Sequence, residues 1–147
     1  MIFIKNFIGN EWVGAKHTFT SVNPATGEPI AEVYEADERT VQMACAAAHQ
    51  AFTSGPWRSK SVTQRAEMLL RVAAKLEERV EQIARLESMD TGKPINETLN
   101  GDIPRSVLNF RFYANLARNQ QSETYISDDG STHTSLREPL GPCAKGT

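Results

Sequence analysis

The chain has 147 residues, of which 39% are hydrophobic and 23% are charged, a balance that predicts a folded globular chain and excludes disorder throughout. Its formal net charge is −2, and the sequence contains no cluster of basic residues of the kind that binds nucleic acid or anionic membrane. No apolar run approaches the about 20 residues of a membrane helix, and no secretion signal opens the sequence. We therefore expect a cytoplasmic protein that binds neither nucleic acid nor membrane.

Two cysteines are too few for a disulfide framework. Cys45 lies among alanines in a helical pattern, so we predict a small buried hydrophobic side chain. Cys143 has no histidine or acid at a suggestive spacing. Because an activated thiolate needs a base or positive surroundings, we do not expect Cys143 to be a nucleophile.

The N-terminal third predicts β-hairpins. Residues 2–13 alternate between apolar and polar side chains around Gly9-Asn10, a pair typical of tight hairpin turns. Residues 19–22 and 29–34 are predicted as a second pair of strands joined by a turn.

From Asp37 the apolar period changes from two to 3.6 residues. Asp37 is predicted to cap a helix that ends before Gly55. Ser61 and Gln64 form a capping-box pattern ahead of a long apolar stripe. The residues alone predict one helix of about 28 residues here.

The centre of the chain predicts a helix end followed by a helix start. Gly92 can take the left-handed conformation that ends a helix, and Pro94 follows as a stop. A new helix is predicted to begin with Asp102 as its N-cap and Pro104 in its first turn, which places Arg105 at the helix mouth.

After this helix, which continues to about residue 118, residues 124–127 and 132–136 are predicted as strands around Asp128-Asp129-Gly130. The predicted fold class is therefore α+β: N-terminal β-hairpins, three to four helices and a C-terminal β-hairpin.

Four runs carry a resemblance: NPATGEPIAEV, LESMDTGKP, NFRFYA and LREPLG, in this order and spacing. They resemble the N-terminal part of the NAD(P)-dependent aldehyde dehydrogenase superfamily, whose fold is α/β. Within it, DIPRSVLNFRF is most similar to the 2-aminomuconic and 2-hydroxymuconic semialdehyde dehydrogenases. The resemblance covers roughly residues 5–141.

The resemblance implies a domain division and a helix bend. Residues 1–120 correspond to the N-terminal part of the cofactor-binding domain, and residues 121–141 to a hairpin that joins an oligomerisation sheet. Residues 142–147 diverge from the apolar strand that the family has there. The bend is expected near residues 78–80, and a homo-oligomer or association with full-length subunits is expected.

The resemblance also implies a reaction, the oxidation of a carboxylated semialdehyde to the acid with NAD. The nucleophilic cysteine, the general-base glutamate and the dinucleotide-binding turn come after residue 147 in the family's order. We therefore expect no catalytic residue here and no activity of this chain alone. Two alternatives stay open: a non-catalytic truncated isoform that associates with full-length subunits, and a fragment of a general or betaine-type aldehyde dehydrogenase.

Arg105 matches the arginine that binds the substrate's carboxylate in the semialdehyde dehydrogenases. A guanidinium offers a planar fork to a carboxylate, and a helix N-terminus would add its positive dipole end. The alternative is a surface arginine that pairs with Asp102 or another acid.

In some members of the superfamily a monovalent cation is bound at the positions that match the backbone of Val22 and the carboxylate of Asp90, so the resemblance implies a cation site here. Oxygen ligands suit such a hard ion. The alternative is an aspartate that accepts hydrogen bonds at a helix end. Asn109 and Tyr113 are expected to have structural roles.

Overall fold

The computed structural model describes residues 2–143 of the chain. Five strands come first: β1 (Ile2–Ile4), β2 (Asn6–Ile8), β3 (Glu11–Val13), β4 (His17–Val22) and β5 (Pro29–Glu35). Helices follow: α1 (Glu38–Ser54), α2 (Val62–Glu77), α3 (Val80–Thr91), the short α4 (Ile95–Glu97), a π-helical segment (Thr98–Asp102) and α5 (Ile103–Asn119). The last two described strands are β6 (Thr124–Ile126) and β7 (Thr132–Thr134). The α+β order predicted from the sequence is confirmed.

The N-terminal strands form two sheets. β2 and β3 pair as the predicted antiparallel hairpin, with positive φ at Gly9 and Asn10. β4 and β5 pair antiparallel, and β1 pairs in parallel with the other edge of β5. The prediction that residues 2–13 form one hairpin was wrong for residues 2–4, because alternation predicts an extended chain but does not identify its partner strand.

The predicted helix ends are mostly confirmed. The Asp37 carboxylate accepts the backbone N–H of Thr40, and Ser61 and Gln64 form both bonds of the capping box. The helix after Ser61 breaks at residues 78–79, where the backbone N–H of Arg79 bonds only three residues back, to Leu76. The family resemblance, and not the local sequence, predicted this break.

The core lies where α2, α3 and α5 meet, and small side chains form it. Ala73, Ala84 and Ala114 are completely buried, and Ile103 and Val107 are nearly so. Small residues let the helices approach closely. An ion pair between Arg111 of α5 and Glu77 of α2 spans the rim of this contact.

Several apolar helix faces are exposed. On α5, Leu108 is 62% and Phe112 61% exposed, and on α1 Val41 is 50% exposed. Cys45 lies on this α1 face and is exposed, so the prediction that it is buried was wrong. The sequence pattern predicted the apolar face correctly, but α1 packs mainly against β2, which leaves most of that face open.

β6 and β7 form the predicted hairpin, although both strands are shorter than predicted. Every residue of the two strands is exposed. Of the predicted divergent tail, residues 144–147 lie outside the described residues. None of the helices formed by residues 2–143 has the length and apolar character needed to cross a membrane.

Candidate functional site

The candidate site begins where α3 ends. Gly92 ends this helix with a φ of 73°. A Cβ at Gly92 would lie 3.2 Å from the Cβ of Pro24, so the turn after β4 packs closely against the end of α3. The left-handed glycine predicted from the sequence is confirmed, and the contact adds a packing reason for it.

The helical chain then restarts earlier than predicted. Pro94 precedes α4, and helical structure continues through the π-helical segment into α5. Asp102 has helical backbone angles and makes no side-chain cap bond, so the prediction that it is the N-cap was wrong. This earlier start could not be recognised from helix propensity, because Asn96, Asn100 and Gly101 are poor helix formers.

The π-helical segment fits the proline that follows it. Pro104 has no N–H, and its ring would crowd the carbonyl of Asn100 in a regular α-helix. Just before the proline, the N–H of Ile103 bonds five residues back to the carbonyl of Thr98, which widens the helix. Pro104 was therefore the available sequence signal for an irregular helix.

Thr98 anchors this segment. Its side chain is completely buried. Its hydroxyl lies 2.9 Å from the carbonyl oxygen of Ala84 and 3.0 Å from that of Ile95. Sequence reasoning missed Thr98, since a single threonine carries no signal of burial.

Asp102 has a partner other than Arg105. The ammonium of Lys93 donates to Asp102 Oδ2 at 2.8 Å. This hydrogen bond, with the attraction between the two charges, raises the pKa of Lys93 above its ordinary value. The pair joins the chain just after α3 to the π-helical segment. Asp102, the acid nearest to Arg105 along the helix, is therefore already paired with Lys93.

Arg105 is exposed, one turn after Gly101. Within residues 2–143 its guanidinium forms no salt bridge; the pairs there are Lys75–Glu78, Arg85–Glu81, Lys93–Asp102 and Arg111–Glu77. Leu108 and Phe112, three and seven residues later, share its exposed face. The pairing with Asp102 considered above is thus not formed.

The expectation that a helix N-terminus adds its positive dipole end at Arg105 was wrong. Because helical structure begins at Ile95, Arg105 lies ten residues, or about 15 Å, along the helix. The dipole effect falls off within the first turn. Any carboxylate at Arg105 would be held by the guanidinium itself.

The structure brings the two candidate cation ligands into one neighbourhood. Ser21 Oγ donates to Asp90 Oδ1 at 3.4 Å, and Val22 is the next residue on β4. Within residues 2–143 no three acidic, histidine or cysteine side chains are grouped as metal ligands. The cation site at Val22 and Asp90 stays a prediction.

A dinucleotide does not fit the described strand-to-helix junction. β5 leads into α1 through Ala36 and Asp37. Thr40 donates two hydrogen bonds to the Asp37 carboxylate, from its hydroxyl at 2.6 Å and its N–H at 2.8 Å, and they lower the pKa of Asp37. The helix N-terminus thus already holds a negative group where a pyrophosphate would bind.

Two other surface features lie away from Arg105. An open apolar groove of about 730 Å³ runs along α2 and α3, beside Val72 and Ile83. A second, of about 690 Å³, lies against α1 and includes both Cys45 and Cys143. Neither includes Arg105.

Comparison with known proteins identifies the family. The model of the aldehyde dehydrogenase family matches residues 12–145. The chain belongs to this family. Its α/β fold and the resemblance noted in the sequence are thereby confirmed.

Three similar proteins show how much of the family the chain represents. The chain is 40% identical over 144 residues to 2-hydroxymuconic semialdehyde dehydrogenase of Pseudomonas sp. (strain CF600), covering 94% of this chain and 29% of that protein. It is 37% identical over 142 residues to 2-aminomuconic semialdehyde dehydrogenase of Mus musculus, covering 96% and 29%. The NAD+ complex of aldehyde dehydrogenase from Bacillus cereus superposes with a TM-score of 0.80 at 40% identity, covering 86% of this chain and 26% of that one. The chain therefore spans less than a third of the length of these relatives.

Proposed function

We propose that this sequence forms the N-terminal part of an NAD-dependent aldehyde dehydrogenase that oxidises a carboxylated semialdehyde of the 2-aminomuconic or 2-hydroxymuconic type. Within that enzyme, Arg105 binds the carboxylate of the substrate. The observation that carries the proposal is the exposed guanidinium of Arg105, which forms no ion pair within residues 2–143 although Asp102 lies three residues away.

The chemistry of Arg105 suits this role. A guanidinium can donate two parallel hydrogen bonds to one carboxylate. Leu108 and Phe112 give the same helix face an apolar character. An apolar surrounding lowers the local dielectric constant once the site is closed, which strengthens the attraction between the two charges.

The proposed reaction converts an aldehyde, NAD+ and water into a carboxylic acid, NADH and a proton. The NAD+ complex of the Bacillus cereus relative supports the choice of cofactor. We assign no catalytic residue and no cofactor contact to residues 2–143. Their role in the proposal is to bind and orient the end of the substrate that does not react.

The test uses a full-length enzyme in which residues 1–141 of this chain replace the matching part of the Pseudomonas 2-hydroxymuconic semialdehyde dehydrogenase. KM and kcat are measured with 2-hydroxymuconic semialdehyde and with a neutral aldehyde of similar length. Loss of a charged hydrogen bond of about 1.5 to 3 kcal/mol corresponds to a KM about 10 to 150 times higher. Arg105→Ala is expected to raise KM this much for the acidic substrate alone.

Arg118→Ala is the matched control, because Arg118 is an exposed arginine in the last turn of the same helix. It should leave both KM values unchanged. An Arg105→Ala enzyme with an unchanged KM for the acidic substrate would remove the carboxylate role. It would favour a general or betaine-type aldehyde dehydrogenase instead.

A second candidate function is a non-catalytic module that associates with full-length subunits. The exposed hairpin of β6 and β7 favours it, since Tyr125 is 62% and Ile126 73% exposed and unpaired strand edges promote association. This chain should then co-purify with a full-length relative and change its oligomeric state or rate. A variant of this chain that lacks residues 121–141 should not co-purify with the full-length relative. Binding that survives this deletion would contradict this candidate.

A further inference from the structure

Two thiols line one groove although they lie 98 residues apart along the chain. Cys45 is on the open apolar face of α1, and Cys143 follows β7 in a segment without regular secondary structure. The groove, of about 690 Å³, is lined by residues of α1 and β2 and by Pro142 and Cys143. The tertiary structure thus brings the two cysteines of the sequence to one surface feature.

Both thiols are available for reaction. Cys45 and Cys143 are exposed and free. The Cys143 thiol donates a long hydrogen bond of 3.6 Å to the carbonyl oxygen of Gly141, which lies in its own turn of the chain and does not hold it away from α1. Among the residues that line the groove in the described part of the chain there is no acid, lysine or arginine. Neither thiol therefore loses a charged partner when it reacts.

The segment before Cys143 leaves the thiol free to approach α1. Leu136 is 78% and Leu140 99% exposed, so little packing has to be broken when this segment shifts. Gly141, two residues before Cys143, has a φ of 128°, in the region that favours glycine. A disulfide needs two Cα atoms about 4.4 to 6.8 Å apart. The segment can close to this distance without unfolding a helix or a strand.

We propose that Cys45 and Cys143 form a redox-dependent disulfide that cross-links α1 to the segment after β7. The oxidant is a low-molecular-weight disulfide such as oxidised glutathione. One cysteine thiolate attacks it, which releases one reduced glutathione and leaves a mixed disulfide on the protein. The other cysteine thiolate attacks the protein sulfur of this mixed disulfide and releases the second glutathione. The two protein thiols lose two electrons and two protons, and the two glutathione molecules take them up.

The cross-link anchors the β6–β7 hairpin on both sides. On its N-terminal side the hairpin is joined to α5, and at its base Arg137 Nη1 donates to the carbonyl oxygen of Gln121 at 3.1 Å. On its C-terminal side the chain runs through the exposed Leu140 to Cys143. A bond from Cys143 to α1 fixes this second side. In a reducing compartment the thiol form dominates, so the bond responds to oxidation of the thiol pool.

The test uses the 147-residue chain, equilibrated with mixtures of reduced and oxidised glutathione, blocked with iodoacetamide and weighed by mass spectrometry. The cross-linked chain carries neither iodoacetamide nor glutathione. The same equilibrium is measured in concentrated urea, where the two cysteines meet only by random closure of a long loop. The equilibrium constant for the cross-link is expected to be at least about tenfold higher without urea, which is about 30 mV for a two-electron couple.

The matched control moves the thiol by one position along α1, in the double variant Cys45→Ser/Ala46→Cys. Ala46 is exposed but does not line the groove. The loop to Cys143 is shorter by one residue, so closure in the unfolded chain is almost unchanged. This variant should give the same equilibrium constant with and without urea.

Three results would overturn the proposal. The first is an unmodified chain whose equilibrium constant is the same with and without urea. The second is a control variant that cross-links as readily as the unmodified chain. The third is an unmodified chain that carries glutathione on both cysteines in place of the cross-link.

Discussion

The buried hydroxyl of Thr98 gives a quantitative test of how the segment that carries Arg105 is held. The side chain is completely buried, and its hydroxyl lies within hydrogen-bond distance of two backbone carbonyls, on Ala84 and Ile95. Thr98→Val keeps the volume and removes the hydroxyl. Ala84 is inside α3, so its carbonyl keeps a helical partner. We therefore expect a loss of about 1 kcal/mol in the free energy of unfolding, within the usual range for one hydrogen bond.

Thr98→Ser makes the complementary change, because it keeps the hydroxyl and removes one buried methyl group. Burial of a methyl group contributes about 0.8 kcal/mol, and the small cavity adds to the loss. The assay is urea unfolding followed by circular dichroism. With a slope of about 2 kcal/mol per molar urea, each variant should unfold about 0.5 M earlier than the unmodified chain.

Thr53→Val is the control for the hydroxyl. Thr53 Oγ1 also donates to a backbone carbonyl, that of His49 at 3.0 Å, but it is exposed. Water can replace that bond, so we expect almost no change in stability. If Thr98→Val is as stable as the unmodified chain, or if Thr53→Val loses as much as Thr98→Val, the reasoning from burial is refuted.

Two further predictions concern the helix ends. Gly92→Ala and Gly27→Ala both place an alanine at a φ of 73°, which costs about 1 to 2 kcal/mol; Gly92→Ala should cost more, because its Cβ would also crowd Pro24 whereas nothing lies near Gly27. Equal losses in urea unfolding would contradict the close packing of the turn after β4 against the end of α3. The bonds from Thr40 lower the pKa of Asp37 below its ordinary 3.8, so its contribution to stability is present above that pH and is lost as pH falls through the lowered value. Asp37→Asn caps the helix without titrating; the stability difference between the two forms should shrink below about pH 3.8, and parallel curves from pH 6 to 2.5 would show that Asp37 contributes no pH dependence.

Local signals predicted the helix ends well where one residue controls the backbone. Asp37, Ser61 and Gly92 occupy the predicted positions, because capping bonds and a left-handed glycine depend on residues within one turn. The break between α2 and α3 has no such residue, and only the family resemblance indicated it. Asp102 shows the opposite error: it has the composition of an N-cap, but helical structure already begins at Ile95.

The candidate site was predicted only in part. The sequence drew attention to Arg105, Asp90 and Val22, and the structure places the last two in one neighbourhood. It also leaves Arg105 unpaired within residues 2–143. The Lys93–Asp102 pair and the buried Thr98 could not be predicted. Each depends on how the segment from Lys93 to Arg105 folds back on α3.

The amino-acid sequence by itself determined the family, the order of strands and helices and most of their ends, because these depend on short-range backbone preferences and on recognisable runs of residues. Only the tertiary structure decided which strand pairs with residues 2–4 and which apolar helix faces stay open. It also decided that Asp102 pairs with Lys93 and not with Arg105. The physical reason is that pairing, burial and charge neutralisation join residues far apart along the chain, as Ser21 and Asp90 are, and local sequence does not encode such partners.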